Sequence, residues 1–257
     1  MATRKKLLWI LLCLLTLALA IRLFYYDNSF SNPLHFSSYS EGGYYEIQPK
    51  TLLYTLNQGE LNIFTPASDD VWFRDEPYYG GIQWSQTDYL KIADALSREV
   101  WHEPLNLQEW EVLALWLDHS CVDNNPQGFS DFHIVYFQRL GAEFWHRQYR
   151  VRYVEIITWQ GAVRWGESLF FDAILPGWRN TGFDNFKVTA DDALSIVDKN
   201  DDSEIRQEYE NRCRISVYLI NYPPVAGYTN GNWRAGVDCG AEGFFIRIDP
   251  FSGKLQE

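Results

Sequence analysis

Between Val188 and Leu255 the apolar spacing changes period once, and that change calls for a helix followed by strands. Ala190, Ala193, Leu194 and Val197 recur at i, i+3, i+4 and i+7, one apolar helical stripe. Thr189 stands where it can cap the first free N–H groups, and Asp192, three residues on, can reach back to it as in a capping box. Past Cys213 the spacing favours strands: one over Ile215 to Ile220, one around Val237, and one over Phe244 to Asp249. In the last of these Phe244, Ile246 and Ile248 share one side, while Arg247 and Asp249 take the other. Pro250-Phe251-Ser252-Gly253 then turns the chain. A helix with one apolar stripe and a sheet with one apolar face bury each other, so this stretch is a complete α+β folding unit.

Three short segments carry a resemblance. Val188-Thr189-Ala190-Asp191-Asp192-Ala193-Leu194, Trp233-Arg234-Ala235-Gly236-Val237 and Ile248-Asp249-Pro250-Phe251-Ser252-Gly253-Lys254-Leu255 together resemble the PepSY-type module, a helix on a small antiparallel sheet. The likeness spans about a quarter of the chain, and an insertion around Asn221 to Asn232 stretches the helix-to-strand spacing. It implies an extracytoplasmic protein, often anchored, that binds or restrains peptidases or other envelope partners. It implies no catalytic residue.

The N-terminus restricts where such a unit can sit. Arg4-Lys5-Lys6 precedes an apolar run from Leu7 to Ala20. Basic residues ahead of an apolar segment hold the N-terminus in the cytoplasm and send the rest across. Ala18-Leu19-Ala20 has the small-x-small form of a cleavage site, which would give a secreted product. Alternatively the run continues to Tyr26, with Arg22 snorkelling, and reaches the roughly 20 residues that span a bilayer. A retained transmembrane anchor over 1–26, with the domain outside the cytoplasm, is the expectation. Residues 1–26 hold four basic and no acidic residues, which leaves 18 basic against 34 acidic, a net charge of −16, for the remainder. Such a charge disfavours nucleic acid as a partner, because that binding depends on neutralising phosphates, and no nucleic acid is expected.

Asp27 to Gly43 is rich in Ser, Asn and Gly and reads as a tether. Thr51 to Leu56 and Glu60 to Phe64 flank Asn57-Gln58-Gly59, which predicts a hairpin. Ala67 to Gly81 reads as loop. Ser85-Gln86-Thr87-Asp88 opens a helix carrying Tyr89, Ile92, Ala93, Leu96 and Val100. Asn106 to Glu109 opens a second, with Trp110, Leu113, Ala114 and Leu117 on one side. Strands are expected over Phe132 to Arg139, Tyr149 to Trp159 and Ala162 to Phe171, the last two joined at Gln160-Gly161. Helix followed by meander thus occurs twice. The expected fold class is α+β: two helix-on-antiparallel-sheet units over 44–175 and 183–257, suggesting an internal duplication, behind the N-terminal transmembrane or signal helix.

Chemistry-bearing patterns are sparse. The histidines, His35, His102, His119, His133 and His146, fall in no metal-ligating spacing, and there is no nucleophile elbow, phosphate loop or dinucleotide fingerprint. No catalytic residue, cofactor or metal is expected. His119 and Cys121 are neighbours that chance accounts for, and a facing pair such as Glu155 and Glu167 is expected by accident among 34 acids. Asp198, Asn200 and Asp202 alternate as calcium ligands do, but Ser203 replaces the turn glycine and Tyr209 the bidentate Glu. Cys213 precedes one strand and Cys239 follows another, so pairing of those strands would bring the two into disulfide range, with Cys121 free or taking either partner. Eleven Trp residues invite a carbohydrate platform, although strand and helix positions favour core packing. Three functions therefore compete: a non-catalytic binding or regulatory domain for an envelope protein or peptide, a carbohydrate- or small-ligand-binding domain, and an unrecognised hydrolase. The first predicts an exposed sheet edge or groove, the second a face of exposed rings, and the third a deep pocket where a His meets a carboxylate.

Overall fold

The computed structural model describes residues 6, 9–20, 33–60, 62–73, 82–120, 130–143, 146–173, 182–200, 213–220, 232–238 and 243–256. Ten strands join one antiparallel sheet: β1 (Glu41–Glu46), β2 (Thr65–Ala67), β3 (Glu111–Ser120), β4 (Ser130–Glu143), β5 (His146–Ile157), β6 (Ala162–Ala173), β7 (Arg214–Ile220), β8 (Trp233–Asp238), β9 (Gly243–Ile248) and β10 (Leu255–Gln256). Their order is β10-β9-β8-β7-β3-β4-β5-β6-β1-β2. The two expected meanders therefore meet at one ladder, where β3 pairs β7 from Ala114↔Ile220 to Ser120↔Arg214.

Helices α1 (Pro49–Asn57), α2 (Gln86–Val100) and α3 (Ala190–Asn200) contribute to the core on one face of this sheet. Tyr89, Ile92, Ala93 and Leu96 of α2, and Ala190, Ala193, Leu194 and Val197 of α3, are buried there with Leu115, Leu117, Phe132, Ile134 and Trp233. Both caps form as the sequence predicts: Ser85 Oγ accepts from Asp88 N, and Thr189 N donates to Asp192 Oδ2 while Asp192 N donates back to Thr189 Oγ1. The two helix starts also cap each other. Gln86 N donates to Asp191 Oδ2 at 2.9 Å, and Ala190 N donates to Gln86 Oε1 at 2.6 Å. Each side chain thus satisfies an N–H that the other helix leaves free at its first turn.

The opposite face buries a second set: Leu113, Ala114, Val135, Phe137, Tyr149, Val151, Tyr153 and Phe170. Central strands therefore bury both sides, which is why β4 alternates Phe132, Ile134 and Tyr136 to one core with Val135 and Phe137 to the other. Leu34, Phe36 and Tyr39 pack on this second face, so the Ser/Asn/Gly-rich segment expected as a tether is seated from Pro33 onward and runs directly into β1.

Two expected elements take other forms. The predicted helix after Asn106 is strand β3. Asn106 begins only a single turn, its carbonyl accepting from Glu109 N and Trp110 N. Val112, Leu115 and Leu117 then face one core and Leu113 and Ala114 the other, across an irregularity between Val112 and Ala114. A strand buried on both sides is apolar almost throughout, so helical spacing is found in it by density alone. The predicted hairpin at Asn57-Gln58-Gly59 is instead the end of helix α1. Pro49 occupies its first turn, Leu52 is buried, and Gly59 takes φ +79° just past its end. The positive-φ position was legible, but a helix C-terminus requires it as readily as a hairpin does. Between β5 and β6 the turn forms as predicted, with Gly161 at φ +65°.

Among the described residues no helix is long and apolar enough to cross a membrane; those at 6 and 9–20 are helical, and residues 1–5, 7–8 and 21–32 of the leader and tether lie outside the described set.

Replacing Gln86 by Ala strands the Ala190 N–H and removes the link between α2 and α3. We expect a loss of about 1–3 kcal/mol in urea denaturation. Ser68→Ala, which touches only an exposed turn, should change stability by less than about 0.5 kcal/mol.

Candidate functional site

Helices α1 and α2 line a groove of about 550 Å³. Leu56, Leu90 and Ala95 give it an apolar lining, with Thr87, Lys91 and Arg98 among the residues around them. Its charges are paired locally: Lys91 Nζ lies 3.4 Å from Asp88, and Arg98 Nε 3.0 Å from Asp94. Asp94 also accepts from Leu105 N at 2.8 Å, pinning the segment after α2 to the groove wall. Exposed pairs of this kind contribute at most about 1 kcal/mol each and can re-pair with an incoming ligand.

Ionisable groups inside the fold are organised in two clusters, one on each face. On the helix side the Arg152 guanidinium lies between two indoles, 4.4 Å from the Trp101 ring centre and 4.2 Å from that of Trp110. Glu167 Oε2 is 2.6 Å from its Nε, and Glu103 Oε1 2.5 Å from its Nη1. His102, at φ 58°, is in the left-handed region between Trp101 and Glu103, and the turn it makes lets both neighbours reach the same cation. On the other face Arg164 Nε donates to Glu155 Oε2 at 2.5 Å, Tyr153 OH donates to the same carboxylate, and the guanidinium stacks 4.0 Å from the centre of the Trp72 ring. Burial raises the pKa values of Glu155 and Tyr153. The facing carboxylates Glu155 and Glu167 are thus on opposite faces, each with its own arginine.

His133 adjoins Glu155 in register, so a histidine and a carboxylate do come together. The surroundings of the ring make it a poor base. His133 is stacked on Trp116 at 4.6 Å and against Tyr153 at 4.3 Å. Burial, helped by Arg164, lowers its pKa to about 3, which keeps the ring neutral at ordinary pH and a poor base. Asp131, two residues before His133 on β4, accepts from Trp159 Nε1 at 3.1 Å. Burial and the neighbouring Asp118 and Glu155 charges raise its pKa to about 7, against the Trp159 hydrogen bond and Arg214.

The remaining sequence candidates are scattered among the described residues or lie outside them. Cys213 is buried and disulfide-bonded, while Cys13 is free, so its partner is Cys121 or Cys239, both outside the described residues. His119 is at the end of β3. Asp198 and Asn200 close α3, while Asp202, Ser203 and Tyr209 lie outside the described residues. Among the described residues no group of three or more His, Cys, Asp or Glu side chains is placed to hold a metal. Trp72, Trp84, Trp110 and Trp233 are core residues and Trp101, Trp116, Trp159 and Trp165 are half-buried, while the exposed described rings are Trp9 near the N-terminus, Tyr54, Phe73 and Phe251. The position of the groove was not legible in the sequence: it lies between α1, which the sequence disguised as a hairpin, and α2.

Two ionisable groups on β4, Asp131 and His133, bias stability in opposite directions. Native Asp131 keeps its proton to about pH 7, whereas the unfolded carboxyl, with its value near 3.8, releases it earlier. Its contribution is complete below that lower value and is lost as pH rises to 7. Asp131→Asn should therefore be more stable than the parent at pH 8, with the advantage shrinking to nothing near pH 4, by roughly 1 kcal/mol or less per pH unit. Native His133 stays neutral where the unfolded ring, near 6.5, becomes charged. His133→Phe should accordingly lose less stability between pH 6.5 and 4 than the parent does. Denaturant titrations at four pH values check both signs. Peptide mapping without reductant is expected to join Cys213 to Cys239; recovery of a Cys121–Cys213 peptide would reverse that pairing.

No family model matches the chain, and no curated protein matches it.

Proposed function

We infer that this is a non-catalytic binding domain that works outside the cytoplasm, held at a membrane by its N-terminal segment, and that it takes a segment of an envelope protein or a peptide into the groove between α1 and α2. The groove is the observation that carries this. Its volume lies within the range of about 300–1,000 Å³ usual for ligand sites, and its lining combines apolar side chains with charges of both signs. An amphipathic segment fits such a lining, apolar residues inward and polar residues toward Lys91, Asp94 and Arg98. The ionisable clusters favour binding over catalysis, since each charge is already neutralised by a fixed partner. A hydrolase would need His133 or Glu155 accessible and able to exchange a proton.

The leader supports the location. Every residue from 9 to 20 is exposed, including Trp9 at 68% and Leu15 at 61%, so this helix is apolar on all sides and has no protein face to lie against. Lipid is the medium that suits it. Arg4-Lys5-Lys6 orients it with the acidic domain outside. The repeated helix-then-meander order and the PepSY-type features near Val188 and Ile248 fit a binding role and an origin by duplication.

The test is site-specific photocrosslinking in the detergent-solubilised native membrane. A photoreactive phenylalanine at Thr87 or Asn57 should give a discrete adduct with a second protein, and the same group at exposed Lys254 should not. Lys91→Glu with Arg98→Glu should weaken the adduct at least fivefold without unfolding the domain. Absence of any adduct at both groove positions would dismiss the groove as the binding site.

A further inference from the structure

The segment Pro33–Tyr39 is held differently from the strand that follows it. From Glu41 onward β1 is joined to β6 by a backbone ladder. Before Ser40 the described hydrogen bonds of residues 35–39 close within the segment: Ser38 N donates to His35 O, Tyr39 N to Phe36 O, and Tyr39 OH to Pro33 O at 2.5 Å. Ser40 marks the change, its N–H reaching Ser168 Oγ and its hydroxyl the Glu167 carbonyl. The side chains of Phe36 and Tyr39 seat residues 35–39 on the sheet. Phe36 packs 5.5 Å from Tyr44 and 5.7 Å from Tyr153, with the Arg164 guanidinium 4.9 Å from its centre. Tyr39 lies 5.3 Å from Tyr153 and 5.5 Å from Phe170.

The sheet is shaped to receive them. A Cβ on Gly166 would stand 2.8 Å from Tyr39 Cβ and Cγ, and one on Gly42 would stand 2.8 Å from the Trp165 carbonyl oxygen and 3.2 Å from the Phe36 ring. Two bare strand positions and a wall of Tyr44, Tyr153 and Phe170 thus make a slot that the chain fills with its own aromatic pair. Compact aromatic side chains held by ring contacts can exchange for an equivalent pair without breaking the ladder beneath.

We propose that this slot is a second peptide-binding site, separate from the groove, occupied in the free protein by Pro33–Tyr39 and open to a partner segment with the same spacing, an apolar residue followed by aromatics two and five positions later. The segment leads back toward the apolar N-terminal helix, so displacing it lengthens the link between that helix and the domain. A partner that takes the slot both docks on the sheet and frees the domain to move further from its point of attachment.

A fluorescent peptide of residues 32–40, Asn-Pro-Leu-His-Phe-Ser-Ser-Tyr-Ser, is the probe, titrated against the full chain in detergent and read by anisotropy. Phe36→Ala with Tyr39→Ala in the protein empties the slot and should bind the probe at least tenfold more tightly than the parent. A probe carrying the same two alanines should bind neither protein. Equal binding of the probe to the parent and to a folded variant overturns the proposal. Hydrogen exchange on the parent gives a test that needs no variant: amides of residues 35–39 should exchange at least tenfold faster than those of β5 and β6. Equal protection of the two regions would overturn it as well. Neither readout touches Lys91 or Arg98, so failure here leaves the groove untouched.

Discussion

The ladder between β3 and β7 is the joint on which the architecture depends. Seven register pairs, from Ala114↔Ile220 to Ser120↔Arg214, bring strands nearly a hundred residues apart side by side and make one sheet of two meanders. With that joint in place α2 and α3 share one apolar core, and their N-termini come close enough for Gln86 and Asp191 to satisfy each other's backbone. Without it each half would expose a sheet edge and half of a core, at a cost that short helices do not offset.

A sheet buried on both faces must account for every polar side chain it contains. Two arginines on neighbouring strands show how. Arg152 and Arg164 point to opposite faces, and each is met by a carboxylate and flanked by rings, Glu167 with Trp101 and Trp110 in one case, Glu155 with Trp72 and Tyr153 in the other. Ion pairs so buried are weak contributors to net stability, because desolvation offsets the attraction, yet removing one partner is costly. Their effect is to orient β5 and β6 and to keep the interior chemically quiet.

The parts of this fold legible in the sequence are those where a local rule and the tertiary structure agree. Ser85 and Thr189 cap helices because the hydroxyl reaches N–H groups within the same turn, whatever packs above them. Strands β4 to β9 showed themselves through β-branched and aromatic residues between turn signals. Gln86 and Asp191 could not be paired from sequence, since their contact spans more than a hundred residues. The ion-pair assignments of Glu155 and Glu167 were equally hidden: the two lie an even number of residues apart, but on different strands, and only the register of β5 on β6 sends them to opposite faces.

By itself the sequence determined the α+β composition, the helix starts, the strand-rich middle, the absence of familiar catalytic patterns and the basic-then-apolar leader, because each depends on residues within a few positions of one another. Tertiary structure decided that Glu111–Ser120 is a strand, that Pro49–Asn57 is a helix, and that residues from Pro33 lie against the sheet rather than hang free. In all three the local pattern permits two conformations of similar energy, and burial against partners distant in the chain selects between them.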